Sequence, residues 1–169
     1  VVRMSEVESQ KLLQMEERLH LQSVALESAP TGVMITDQEG RITWVNHQFT
    51  HITGYTAEEA LGQTPRLLKS GKHNQSFYQR LWETILSGQV WRGEFINRRK
   101  DGSLYIEEEL IAPVRDARGT ISHFIGVHQD ITERKRIEEA LQTKTEQIRE
   151  MTQQLWQTAK LATTGELTA

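Results

Sequence analysis

The chain contains no cysteine. That removes disulfides, thiolate nucleophiles, Cys-ligated metals and cysteine-based photochemistry together, and it fits a reducing, cytoplasmic compartment. No apolar run approaches the ~20 residues that span a bilayer, and the amino end lacks a signal-peptide pattern, so no membrane contact is expected of this segment. Neither sign of charge dominates, with 23 acidic against 20 basic residues and a net of -3. Such a surface is not built to neutralise phosphates, and nucleic acid is not an expected partner. No nucleophile–base pair, phosphate-cradling loop or metal-ligand set is visible, so this chain is not expected to be an enzyme. The four-residue spacing of His47 and His51 finds no third ligand.

Proline is scarce, with three in 169 residues, and both ends of the chain lack Pro and Gly over long stretches. Three zones follow from this. Residues 5–26 place Leu12, Met15, Leu19 and Leu26 at steps of three and four around a polar Gln22, which predicts an amphipathic helix ended by Pro30. It serves either to pack on its own domain or to form a dimeric coil. From Glu133 onward Ile137, Leu141, Lys144, Ile148, Met151, Leu155, Thr158 and Ala162 form a narrow stripe, the seam of a coiled coil weakened by Lys144 and Thr158.

The middle zone reads as mixed α and β. "GVMITD" and "RITWVN" flank a Gln38-Glu39-Gly40 turn and form a hairpin. Residues 46–54 and 56–61 read as short helices, the second opened by a Thr56/Glu59 capping box. Asn74 caps a longer helix with an apolar stripe of Phe77, Leu81, Trp82, Ile85 and Leu86, stopped at Gly88. Strands are expected at 89–99, 104–114 and 120–130. The class is α+β, a five-stranded antiparallel sheet with helices over one face.

The phrases "ITDQEGRITWVNHQF", "TGYTAEEALGQTPRLLKSG", "WRGEFINRRKDGSLY", "APVRDARG" and "FIGVHQDITERK" resemble a PAS domain, in family order over about 105 residues. This implies the PAS fold, a sensory or dimerising module, for residues 27–132, between an N-terminal helix (1–26) and a signalling coiled coil (133–158). "AKLATTGELTA", residues 159–169, resembles the opening of a histidine-kinase dimerisation and phosphotransfer domain, short of its phosphoacceptor histidine. The chain is therefore expected to be a segment of a larger two-component histidine kinase. The implied partners are a second copy through the flanking helices, the kinase domain and a response regulator.

Within the family, "VWRGEFINRRKDGSLY" and "GVHQD" look most like the FAD-binding redox sensors of the NifL and MmoS type. That resemblance implies FAD as cofactor, with FMN, haem or no ligand as alternatives. Pro65 stands where the blue-light LOV relatives carry their flavin-reactive cysteine. Asn97 and His128 fall on LOV flavin-contacting positions, and Glu107 replaces a second flavin-contacting asparagine. Strand alternation puts Phe95 beside Asn97, and Phe124 and Gly126 beside His128, with Gly126 letting a planar ring approach the sheet. Each polar member has a plainer reading: an internally satisfied amide, a strand histidine, a solvated glutamate. Trp91 either walls a ring or packs on the long helix; Met34 and Leu68 either line a cavity or fill the core. The haem alternative rests on His73 near the start of the long helix.

Overall fold

The structure is a computed structural model that describes residues 6–166, and the side chains of 7–162. It divides into two compact units, the first running to Asp130 and the second beginning at Ile131.

In the first unit α1 (Glu6–Glu27) precedes β1 (Gly32–Asp37) and β2 (Ile42–Val45). Ser5, placed by the sequence in the helix, lies outside the described residues. The expected one-sided character of α1 is corrected. Leu13, Leu21 and Val24 are as exposed as Leu12, Met15 and Leu19, so apolar side chains emerge on more than one side. The turn between β1 and β2 closes on Asp37, whose carboxylate accepts from the Glu39 and Arg41 N–H groups.

Asn46 carries more of this region than any other single side chain. It is fully buried, and its Oδ1 accepts from Val33 N at 2.8 Å and from Phe49 N at 3.0 Å. Its Nδ2 donates to the carbonyls of Leu26 and Thr31, both at 3.0 Å. One amide thereby caps α2 (His47–Thr53), holds the start of β1 and ties down the end of α1. Gly54, at φ 77°, terminates α2 in the left-handed region. The capping box of Thr56 and Glu59 opens α3 (Ala57–Ala60) as the sequence requires.

A 3-10 turn at Pro65–Leu68, which the sequence pattern did not announce, leads to α4 (Gln75–Leu86), capped by Asn74. The apolar stripe of α4 is narrower than predicted. Leu81 and Ile85 are buried while Trp82 and Leu86 are exposed. Three long strands follow, β3 (Trp91–Arg98), β4 (Leu104–Arg115) and β5 (Ile121–Asp130). The sheet order is β2-β1-β5-β4-β3, every neighbouring pair antiparallel. The helices lie over one face, with apolar clusters around Phe49, Met34 and Leu68 and around Leu81, Phe95 and Phe124.

The second unit holds α5 (Thr132–Glu166), a single helix. Its stripe residues Ile137, Leu141, Ile148, Met151 and Leu155 are all more than half exposed.

Replacing Asn46 by Ala removes four hydrogen bonds to the backbone at once, two of them the buried ones from the Val33 and Phe49 N–H groups. Each unsatisfied buried group costs on the order of 1–3 kcal/mol, so a loss of about 3 kcal/mol or more is expected in urea unfolding. A loss below about 1 kcal/mol would show that the amide is dispensable to the fold.

Candidate functional site

Between the sheet and the helices lies a cavity of about 580 Å³. Its apolar walls include Met34, Leu68, Leu81, Ile85, Phe95 and Phe124. Its polar face comes from three adjacent strands: Asn97 on β3, Glu107 and Glu109 on β4, His128 on β5. Alternation explains the selection. Phe95 and Asn97 point inward while Ile96 and Arg98 are exposed, and Phe124, Gly126 and His128 are buried in sequence along β5.

The polar residues form a row. Asn97 Nδ2 donates to Glu107 Oε1 at 2.6 Å, which leaves the amide Oδ1 for the cavity. His128 stands between two carboxylates, with Nδ1 3.4 Å from Glu107 Oε2 and Nε2 3.6 Å from Glu109 Oε1. The β4–β5 register pairs Glu109 directly with His128. Both imidazole–carboxylate contacts are longer than the roughly 2.7–2.9 Å of a tight charge-assisted hydrogen bond. Both His128 nitrogens and Glu107 Oε2 are buried without a hydrogen-bond partner among the described residues. Orphaned polar atoms facing a cavity are what a polar ligand edge would satisfy.

Burial works against the His128 imidazolium, but the charges of Glu109 and Glu107 outweigh it and push the group up to about 9. Burial raises Glu109, with His128 opposing and Glu107 adding, up to about 7. Tyr105, two residues before Glu107 and buried, is held protonated by burial and then by the Glu107 charge. The Arg99 guanidinium lies 4.3 Å over its ring centroid. Glu107, Glu109 and His128 also offer ligand atoms within 4.8 Å of one another. The two carboxylates, however, address opposite nitrogens of one ring. That is the geometry of an imidazole bridging two acids, whereas a single ion binds one of its nitrogens.

Several sequence expectations change. Trp91 does not line the cavity; it packs against Phe77 and Phe95, at ring-centroid distances of 5.7 and 5.0 Å. Its ring folds back over Gly93, where a Cβ would fall 2.6 Å from the indole. Gly126 serves its neighbours as well as any ligand: a Cβ there would meet His128 Nε2 at 2.9 Å and Glu109 Oε1 at 3.2 Å. His73 is unsuited to hold haem iron. Its Nε2 accepts the Ile96 N–H at 2.8 Å, its ring stacks on Phe77 at 4.2 Å, and it lies outside the cavity lining. Glu109 was missed as a site residue. The signal was its spacing of two from Glu107, which puts both on one face.

A family model described as PAS fold matches residues 21–131. The nitrogen fixation regulatory protein of Klebsiella pneumoniae is 36% identical over 116 residues, covering 69% of this chain and 23% of that protein. A blue-light photoreceptor of Listeria innocua is 30% identical over 142 residues, covering 82% of this chain and 52% of its own. Among solved structures, an RNA-binding light-oxygen-voltage receptor superposes with a TM-score of 0.68 at 24% identity, over 86% of this chain and 40% of that one. The chain thus spans only about a quarter of the length of the first of these relatives.

Both raised groups bind protons more tightly when folded. Their stabilisation is complete below their ordinary values of 4.5 and 6.5 and is lost as pH rises through about 7 for Glu109 and about 9 for His128. Denaturant unfolding measured across this range should show stability falling towards alkaline pH. Glu109→Gln should flatten the lower part of the fall, and a stability that rises instead would reverse the assignment.

Proposed function

The chain belongs to the PAS family, and we propose that it is the sensory module of a dimeric two-component histidine kinase, reading redox state or oxygen through FAD held non-covalently in the cavity. The observation that carries this reading is the buried row of Asn97, Glu107 and His128 along one side of the cavity, with Glu107 Oε2 and both His128 nitrogens short of partners among the described residues. An isoalloxazine has an apolar dimethylbenzene end and an edge of alternating carbonyls and N–H groups, and it needs walls and donors in this arrangement. Phe95, Phe124, Met34 and Leu68 would enclose the ring system; Asn97 Oδ1 and the Glu107–His128 pair would meet its polar edge. Bound there, flavin supplies reversible electron transfer. The kinship with a nitrogen fixation regulatory protein and a blue-light photoreceptor supports a cavity that serves a regulatory ligand. Cysteine-adduct photochemistry is not available to a chain without cysteine, and Pro65 lines the cavity at the corresponding place.

Output follows the chain. β5 ends at Asp130 and α5 begins at Thr132, so a change at His128 lies a few residues from the helix that leads to the kinase-like sequence. The exposed apolar stripe of α5 is the surface a second copy would cover, forming a parallel helix pair. The chain itself senses and relays; phosphotransfer to a response regulator belongs to the domain its last residues resemble.

The visible spectrum of the purified protein, reconstituted with FAD and separately with FMN, is the direct test. Absorption near ~450 nm retained after gel filtration is expected for flavin. A Soret band would indicate haem, and a colourless preparation after both reconstitutions would sink the cofactor reading. Asn97→Ala should weaken flavin retention by about tenfold, the loss of roughly 1.4 kcal/mol of hydrogen bonding. For the helix pair, the double change Leu141→Asp and Leu155→Asp should turn a dimer into a monomer by light scattering. An unaltered dimer would place the interface elsewhere.

A further inference from the structure

Glu109 is the buried ionisable group that the flavin reading leaves without a task. It shares the cavity wall with Asn97, Glu107 and His128, and its Oε1 faces His128 Nε2. Burying a carboxyl beside a second carboxylate is expensive unless it has a partner or a proton. Here one imidazole lies between the two acids, with its Nε2 3.6 Å from Glu109 Oε1. The charged and titratable groups around the row include Lys69, whose backbone bridges to Asn97 and whose ammonium lies 4.7 Å from the Tyr78 ring centroid, and Arg66 and Glu39 on the cavity lining. Tyr105 precedes Glu107 on β4, Arg99 covers Tyr105 from the end of β3, and Tyr78 on α4 is held protonated by burial and then by the Glu109 charge. β1 and α2 bring Met34, Thr36 and the Phe49 ring, whose centroid lies 5.6 Å from that of His128.

We propose that Glu109 is the acid–base group of this cavity, delivering the proton that accompanies reduction of the bound ligand, with His128 positioning it and stabilising the carboxylate left behind. This rests on the flavin reading. In the redox step, two electrons come from an external reductant; with dithionite as the donor, dithionite is oxidised to bisulfite. A new N–H bond forms on the ring, the Glu109 O–H bond breaks, and its bonding electrons remain on the carboxylate. Any second proton comes from solvent, which also reprotonates Glu109 when the ring is reoxidised and releases its proton.

The arrangement favours Glu109 over its neighbours for this task. Glu107 already accepts from the Asn97 amide at 2.6 Å, so one of its oxygens is committed across the ladder to β3. The His128 imidazolium is stabilised from both sides, which makes it a poor donor. Glu109 is raised by burial to about 7, so near neutral pH it holds and releases a proton with little driving force either way. Once ionised, it lies 3.6 Å from the imidazolium, and the ion pair offsets the cost of the buried charge. Gly126 leaves room for that approach, because a Cβ there would crowd both groups, 2.9 Å from His128 Nε2 and 3.2 Å from Glu109 Oε1.

The test follows the midpoint potential of flavin-loaded wild type and Glu109→Gln across about pH 5.5 to 9. Wild type should change its number of protons per two electrons near neutrality, and Glu109→Gln, still loaded, should lose that break. Identical profiles would overturn the proposal. Redox-difference infrared spectra of wild type labelled with 13C-glutamate provide a readout that needs no variant. A protonated-carboxyl band should be lost on reduction, and its persistence would overturn the proposal even if Glu109→Gln failed to fold. If no flavin is retained, the cofactor reading falls and the redox step with it. The acid is then judged in the ligand-free protein by 13C NMR of Glu109, where titration in the ordinary carboxylate range would overturn it too.

Discussion

The placement of one imidazole between two carboxylates on the inner face of the sheet is the constraint that the rest of this domain accommodates. Three ionisable groups buried together would destabilise a small core if any were left alone, because an unpaired buried charge costs several kcal/mol. His128 lies between Glu107 and Glu109, and Asn97 completes the row from the next strand. The backbone yields where the row needs room. Gly126 leaves space for the Glu109–His128 approach, and Gly32 on β1 lies against His128 Cβ and the Phe49 backbone, where a Cβ would come within 3.3 and 3.2 Å. The apolar clusters sit on either side of this row, around Phe49 and around Phe95 and Phe124. The cavity is the gap that remains between them.

Helix starts and turns were legible in the sequence because they are written in single residues with local chemistry. Asn46, Thr56 with Glu59, and Asn74 each act on backbone groups two or three positions away, so no tertiary knowledge is needed to read them. Strand faces were legible for a similar reason, since alternation fixes which of Phe95, Ile96 and Asn97 point inward. What alternation cannot give is the partner across the ladder. Alternation separates Glu108 from Glu107 and Glu109, but only the β4–β5 register makes Glu109 the cross-strand neighbour of His128. The same gap explains His73 and Trp91. Both are aromatic and near the cavity in sequence, but depth and neighbours are set by how α4 packs on β3. That packing turns His73 onto Phe77 and folds Trp91 over Gly93.

The two long helices show the opposite balance. Their periodicity was readable, yet no described contact within the chain covers their apolar side chains. In α5 the stripe is narrow and interrupted by Lys144 and Thr158, and its apolar members stand exposed along the helix. In α1 the exposed apolar residues spread beyond one stripe, so the surface is less selective about what covers it. A helix of this kind gains most of its stability from what packs against it rather than from propensity. Periodicity alone therefore predicted the elements without supplying what covers them.

Charge in the cavity and the end of the sheet are linked by short steps within the first unit. Glu107 lies two residues from Tyr105 on the same face, and Tyr105 is covered by the Arg99 guanidinium. Arg99 in turn bonds the Ile52 carbonyl and pairs with Asp130 at 2.6 Å. Asp130 is also reached directly along β5, two residues beyond His128, and the ladder sets it opposite Glu107. Two routes, one along the strand and one across Tyr105 and Arg99, thus converge on the last residue of the sheet. A carboxylate that gains or loses a partner in the row acts on a guanidinium already shared between a helix carbonyl and Asp130. The sheet therefore ends on a residue tied to the cavity row both by the ladder and through Arg99, and the chain continues from there into α5.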